Sequence, residues 1–369
     1  MAGTAAAAGL AAAVIVIPQV ISDHSAAGRS AAGGSVAAPD TLASPRKNSA
    51  SAPAAPKAAN ARAVLLAVAK VAAKEPIGRG EYWYQRERGS ALIHNSDEEY
   101  YKKLAILSKE YERTKNDPDA TSAEIEAAKK TFTRKLIELK QETLPYSASF
   151  ASTTETWRSL RDGKGREVDN QKPKVTFATP EDEAKWRQAG SPVLEERANE
   201  GPTTKEGKPN YILSIGNPSL TWSSIRSLPT DKKGLKAKLL DVYEESSAKE
   251  MGESLAQFYW STSMDLLTAP ITPGTRAALY QVLADSASGF KSHTGVVDAL
   301  GRTGISLETP GTKQDSERGG PVTLRLIFDA DSGKLLQSDI LEEGVPFPLL
   351  QRTFELTGYV DKVGEIPQS

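Results

Sequence analysis

Hydrophobic positions change period several times along this chain, and each change marks a boundary between helix and strand. Within residues 61–76, Leu65, Val68 and Ala72 fall on one helical face, and Pro76 supplies the stop. The run GEYWYQRERG at 80–89 then reads as a strand with its charged end, Arg86, Glu87 and Arg88, in solvent. From residue 97 the period returns to helical. Tyr100, Leu104, Leu107 and Tyr111 repeat at four, three and four, and Ile125, Ala128, Phe132, Leu136 and Leu139 follow nearly at heptad spacing. Ser96 with Glu99, and Thr121 with Glu124, fit the capping box that satisfies the first free backbone donors of a helix. With the turn NDPDAT between them, residues 97–141 read as an antiparallel helical hairpin inserted between strands, either a solvated structural arm or a partner-docking one.

Alternation resumes around Phe150 and Trp157, with a bend at Asp162-Gly163 beside Arg158, Arg161, Lys164 and Arg166. Those four cations suit a solvated turn or a contact with anionic headgroups. Thr179 as cap, Pro180 in the first turn and Gly190 beyond the end describe a short helix. A polar loop precedes Leu228-Pro229-Thr230-Asp231, which opens a helical tract with three stripes: Leu235, Leu239 and Val242; Leu255, Phe258, Tyr259 and Leu266; Leu279, Val282 and Leu283 after Thr272-Pro273. Beyond Gly289 the period is two, through HTGVVDALG, TGISLE, PVTLRLIF and KLLQSDILE. Strands and helices are grouped rather than alternating. That predicts an α+β fold around an antiparallel sheet and excludes a doubly wound nucleotide fold.

The chain ahead of this domain is different material. Residues 1–22 carry no charged side chain and match the ~20 residues needed to cross a membrane. A retained anchor, a signal peptide cleaved near Ser25-Ala26-Ala27, or a soluble Ala-rich tail fits this stretch; the first makes the protein a single-pass membrane protein with an extracytoplasmic domain, the second a secreted one. The usual basic flank is missing, as it would be if Met1 lay inside a longer natural chain. Residues 23–60 are mostly Ala, Ser, Gly and Pro and predict a disordered tether with a reach of about 35 Å. The folded part is assigned to 61–369.

Charge and reactive residues narrow the function by exclusion. The 46 Lys plus Arg against 47 Asp plus Glu give no global field for nucleic acid. There is no cysteine, so neither a disulfide nor a lipidated cysteine is possible. His24, His94 and His293 are the only histidines, and no zinc motif, nucleophile elbow or phosphate loop is present. Asp329-x-Asp331-x-Gly333 has Lys334 where a calcium loop needs glycine and Ile340 where it needs glutamate, so a hairpin turn is expected there. No catalytic residue, cofactor or metal ligand is assigned. Abundant Asp and Glu leave a carboxylate-pair hydrolase as a third alternative.

Several stretches together carry a resemblance: ARAVLLAVAKVAAKEP into GEYWYQRERG, then SLPTD, LLTAPITPGTRAALYQVLA, VVDALGRTG and RLIFDADSGKLLQSDIL. In their order they resemble an uncharacterised group of actinobacterial membrane-anchored proteins with a transmembrane helix, an Ala/Pro-rich spacer and one extracytoplasmic domain. The terminal Val-Val-Asp-x-x-Gly-Arg strand and Ile-Phe-Asp hairpin also look like the RseB/LolA lipoprotein-carrier superfamily. That likeness implies a curved antiparallel sheet wrapped around helices, with an apolar cavity between them. It transfers no functional residue. The expectation is a non-enzymatic binding or sensor module for an apolar or lipid ligand, with Trp83, Phe150, Trp157, Phe258, Leu279 and Val297 as candidate cavity lining. The alternative is an envelope signalling or scaffold protein that meets a protein partner through the helical hairpin.

Overall fold

A computed structural model describes residues 56–93, 98–140, 144–207, 222, 224–245, 254–311, 316 and 319–368. The apolar segment at 1–22, most of the tether, the Ser96 cap, His24 and His94 lie outside the described residues. Among those described, no helix is long and apolar enough to cross a membrane.

Seven α-helices and one ten-stranded sheet are described. The helices are α1 (Ala61–Ala72), α2 (Glu98–Lys115), α3 (Ser122–Lys140), α4 (Pro180–Gln188), α5 (Lys232–Glu245), α6 (Leu255–Thr268) and α7 (Pro273–Asp285). The strands are β1 (Lys57–Ala59), β2 (Tyr82–Ile93), β3 (Ala148–Ser159), β4 (Gly165–Phe177), β5 (Thr203–Gly207), β6 (Lys291–Val297), β7 (Thr303–Pro310), β8 (Val322–Phe328), β9 (Leu335–Glu342) and β10 (Leu350–Val360). Every pairing is antiparallel, in the order β1-β6-β7-β8-β9-β10-β2-β3-β4-β5. The α+β class and the antiparallel sheet expected from the pattern are therefore present.

Two meanders meet where β10, the last strand, pairs with β2, the first long one. The sheet is thus closed across its middle by residues about 270 apart in sequence, a long-range pairing that only a fold held by a common core can sustain. That core lies on one face. Leu65 and Val68 of α1, Leu235 and Leu239 of α5, Phe258 and Leu266 of α6, and Leu279 and Val282 of α7 pack with Leu307, Leu326, Phe328, Leu335 and Phe354 of the sheet. Thr272, Pro273 and the Ser254–Gln257 capping box start α7 and α6 as their sequences require.

Four local readings change. Lys57–Ala59, assigned to the tether by composition, pairs with β6 as an edge strand, because backbone ladder bonds need no apolar side chain. Helix α1 ends at Ala72 rather than at Pro76; the residue before a proline resists helical geometry, and Ala73 and Lys74 close the last turn. Strand β2 continues to Ile93, and its charged centre is not a wet end, as described below. Thr203–Gly207, within the loop expected to be irregular, forms a fully exposed edge strand.

Candidate binding groove

Strand β2 crosses the middle of the sheet, and its period of two sorts its residues sharply. Trp83 faces the helices: its indole donates to the Thr268 carbonyl at the end of α6, 2.9 Å away, and its ring meets Tyr359 edge-on at 5.0 Å. Gln85, Glu87, Gly89 and Ala91 share that face. Tyr84, Arg86 and Arg88 therefore point the other way. Cross-strand register extends the assignment, placing Gly89 between Arg352 of β10 and Ser152 of β3, and Glu87 between Phe354 and Thr154.

The main hydrophobic cluster reaches this face only through Phe354; a separate small apolar cluster, Ile93, Ala148, Val175 and Phe177, closes its far end, and paired charges lie between the two. Arg352 holds Glu87 with both prongs of its guanidinium, Nε to Oε1 at 2.6 Å and Nη2 to Oε2 at 2.9 Å, while Gln85 donates to Oε2 at 2.8 Å. On β4, Asp169 accepts from Thr154 at 2.7 Å and from Arg197 at 3.0 Å. Arg197 comes from the short turn at Glu196–Asn199. Asn170, in the left-handed region at φ 55°, pins that turn by donating to the carbonyls of Arg197 and Glu200.

Three arginines lie over aromatic rings along this surface: Arg352 over Phe354, Arg197 over Phe150 and Arg158 over Trp222, at 5.3, 5.5 and 4.7 Å from the ring centroids. Between these props, at Gly89, the floor is bare. A Cβ built on Gly89 meets no atom within 4 Å, and its paired neighbour Arg352 is turned to Glu87. Gly89 thus opens onto free space, with the Glu87–Arg352 pair on β2 and β10 to one side and the Asp169–Arg197 pair beyond β3 on the other.

Both of these carboxylates, Glu87 and Asp169, are already bound to arginine, an arrangement that fixes their geometry. On the opposite face, Glu155 accepts from the Tyr84 hydroxyl, from Arg86 and from Gln171. Burial pushes the Glu155 carboxyl up, but these hydrogen bonds outweigh it and hold the group below its ordinary value. Burial, together with the Glu155 hydrogen bond, drives the Tyr84 phenol far upward, so it stays a donor.

The candidate lining residues do not converge. Trp83 and Phe150 lie on the helix side of the sheet, at opposite ends of the groove. Trp157 lies on the other face, packed with Tyr84 and Val360, because it is an odd number of positions from Phe150. Phe258 and Leu279 are fully buried in the close-packed core, and Val297 is 38 % exposed at the β6–β7 turn. Of the basic cluster at the β3–β4 turn, only Arg161 and Lys164 are exposed, on a cleft of about 320 Å³; Arg158 is stacked and Arg166 is paired with Glu206.

Other motifs resolve into structure. Asp329 Oδ1 accepts from the Asp331 and Ser332 amides and the Ser332 hydroxyl, and Gly333 takes a φ of 66°, which makes this a capped hairpin turn. Among the described residues no group of three or more Asp, Glu, His or Cys could hold a metal ion. His293 approaches Glu308 at 3.6 Å. Asp298 is engaged by Arg302, whose other nitrogens donate to the Phe354 and Leu336 carbonyls and so tie the β6–β7 turn to β9 and β10.

The sequence reading missed the groove residues Gln85, Glu87, Asp169, Arg197 and Arg352. The available signal was the regular spacing of Gln85, Glu87 and Gly89 on the same strand face as Trp83. Comparison of the chain with family models, with curated proteins and with solved structures gave no match.

Proposed function

We propose that this chain is a non-enzymatic binding or sensor module whose ligand lies along the helix-side surface of β10, β2, β3 and β4. One observation carries the reading: the open floor at Gly89, framed by the Glu87–Arg352 and Asp169–Arg197 clamps. Rigid, prepaired charges lower the ordering penalty of binding, and aromatic rings under the arginines give the same groove apolar walls. Such a surface suits an amphipathic ligand, apolar along its length and polar at its edges. Helices packed on one face of an antiparallel sheet, together with the charge-free residues 1–22, favour the finer version: a LolA-like lipid-binding domain tethered outside a cell membrane.

The test is native mass spectrometry of the protein purified from membranes, with titration by a fluorescent fatty acid. The expected result is a stoichiometric lipid adduct and saturable uptake, both lost in Gly89→Leu, which fills the floor. A clean apo mass with no saturable uptake sinks the lipid version.

A second reading rests on the helical hairpin. Ile106 of α2 is 61 % exposed on an arm whose two helices already satisfy each other through Tyr111 and Phe132. An arm of this kind suits a protein partner. Deleting residues 97–141 is expected to leave the sheet folded and to abolish capture of an envelope protein under this reading, and to leave capture intact under the groove reading.

A further inference from the structure

Helix α5 carries its charge in reverse. Lys232, Lys233, Lys236 and Lys238 fill its first half, and Asp241, Glu244 and Glu245 its second. The helix dipole favours the opposite arrangement, acids at the N-terminus and cations at the C-terminus, so this polarity weakens the helix that bears it. Asp231 does answer one of the first free donors, accepting from the Gly234 amide at 2.9 Å. The lysines that follow answer to something outside α5.

Two of them turn to a neighbouring helix end. Lys232 donates to Asp285 Oδ1 at 2.7 Å and Lys236 to Oδ2 at 3.2 Å, at the last residue of α7. From α1, Arg62 approaches the same Oδ1 at 3.9 Å and donates to the Ala284 carbonyl at 3.1 Å. Three cations thus share one carboxylate. The first turn of α1 has no acidic residue to offset Arg62, and Lys233 is exposed beside Lys232. The side chains of Arg62, Lys232 and Lys236 are 58, 40 and 45 % exposed, so the surplus positive charge faces water. An exposed network of this kind adds little to stability. Arg62 also stands in the first turn of the first helix after residues 1–55, the stretch that contains the charge-free residues 1–22.

We infer that Arg62, Lys232, Lys233 and Lys236 form a docking surface for an anionic lipid membrane. Long cations that stay half in water suit a plane of headgroups, where each adds a similar electrostatic increment and none needs a fixed geometry; a single small anion is held instead by converging donors of fixed direction. For its location the proposal rests on the reading of a domain tethered at a membrane, and it names a second, charge-based contact beside that tether.

The test uses the full chain, which has no cysteine, with a single fluorophore placed through Ala237→Cys on α5 or, as control, through Ala123→Cys on α3, both exposed positions. Vesicles of phosphatidylcholine, with or without phosphatidylglycerol, carry a headgroup quencher. Quenching is expected from the α5 label on the anionic vesicles, with binding roughly tenfold tighter than to neutral ones, and is expected to vanish in about 1 M salt, where the Debye length falls to about 3 Å. The double variant Lys232→Glu/Lys236→Glu is expected to abolish this quenching, while Lys129→Glu/Lys130→Glu on the hairpin, with the same change in net charge, is expected to keep it. Arg62→Glu, at the most exposed of the three paired positions, carries the test if the first double variant fails to fold. Salt-resistant retention on neutral vesicles reports residues 1–22 separately: its absence defeats the anchored reading and leaves the salt-reversible contact measurable. Equal quenching of the two labels, equal quenching on neutral and anionic vesicles, or the same outcome for both double variants overturns the docking surface.

Discussion

The two halves of the sheet are built by opposite means. On the helix side of β7, β8 and β9, Leu307, Leu326, Phe328 and Leu335 are buried against four helices, and cohesion there is non-directional, proportional to apolar area removed from water. Across β10, β2, β3 and β4 the same face carries only Phe354, Trp83, Phe150 and one small apolar cluster, and between them lie paired charges and cation–ring stacks whose geometry must be met closely. The second half leaves open space at Gly89 and spreads its stability over individually modest contacts.

Truncations should therefore separate the halves. Leu279→Ala, in the close-packed half, is expected to lose about 2 to 5 kcal/mol in denaturant unfolding, since a fully buried leucine leaves a cavity that neighbours fill only in part. A loss as small as that of a surface change would mean that α7 is not the centre of the core. On the far side of the polar half, Glu155→Gln is expected to lose about 1.5 to 3 kcal/mol, the range for hydrogen bonds to a charged group. The sign with pH follows from its lowered pKa. The stability that the carboxylate contributes is fully present above its ordinary value of 4.5 and disappears as pH falls below that through the folded value. Between pH 6 and about 3, wild type should thus lose more stability than Glu155→Gln; parallel curves would remove Glu155 from the account.

How much of this was legible in the sequence depends on which half is considered. The apolar half announces itself: the stripes Leu235–Leu239–Val242 and Leu279–Val282–Leu283, and the alternation through PVTLRLIF, are period signals that survive into the structure. Strand β10 escaped notice because a bulge between Phe354 and Leu356 shifts the phase, so that Phe354 faces the helices and Leu356 the other side, breaking the alternation. The groove was illegible for a different reason. A charged residue inside a strand looks solvated until its partner is known, and the partner of Glu87 is Arg352, 265 positions away.

The groove itself provides the sharper test. Gly89→Leu should change stability by less than about 1 kcal/mol, and in the stabilising direction if at all, because glycine inside a strand is entropically unfavourable and the built Cβ meets nothing. Its effect belongs to binding. A Gly89→Leu variant that unfolds readily would show that the floor is closed in solution, and the contrast between the halves would then fail at its most specific point.

The smallest effect should come from the helical hairpin, which belongs to neither half. Lys135 and Glu110 bridge α3 and α2 at 3.3 Å, but their side chains are 46 % and 55 % exposed, so solvent and salt screen the pair. The stacked rings of Tyr111 and Phe132, 5.1 Å apart, hold the arm by a contact that salt does not weaken. Lys135→Ala is accordingly expected to shift unfolding by no more than about 0.5 kcal/mol, and Phe132→Ala by distinctly more, with the two kept apart in high salt. If Lys135→Ala instead proved as damaging as Phe132→Ala, the arm would be held electrostatically. It would then respond to ionic strength, and its use as a rigid docking surface would have to give way to a hinged one.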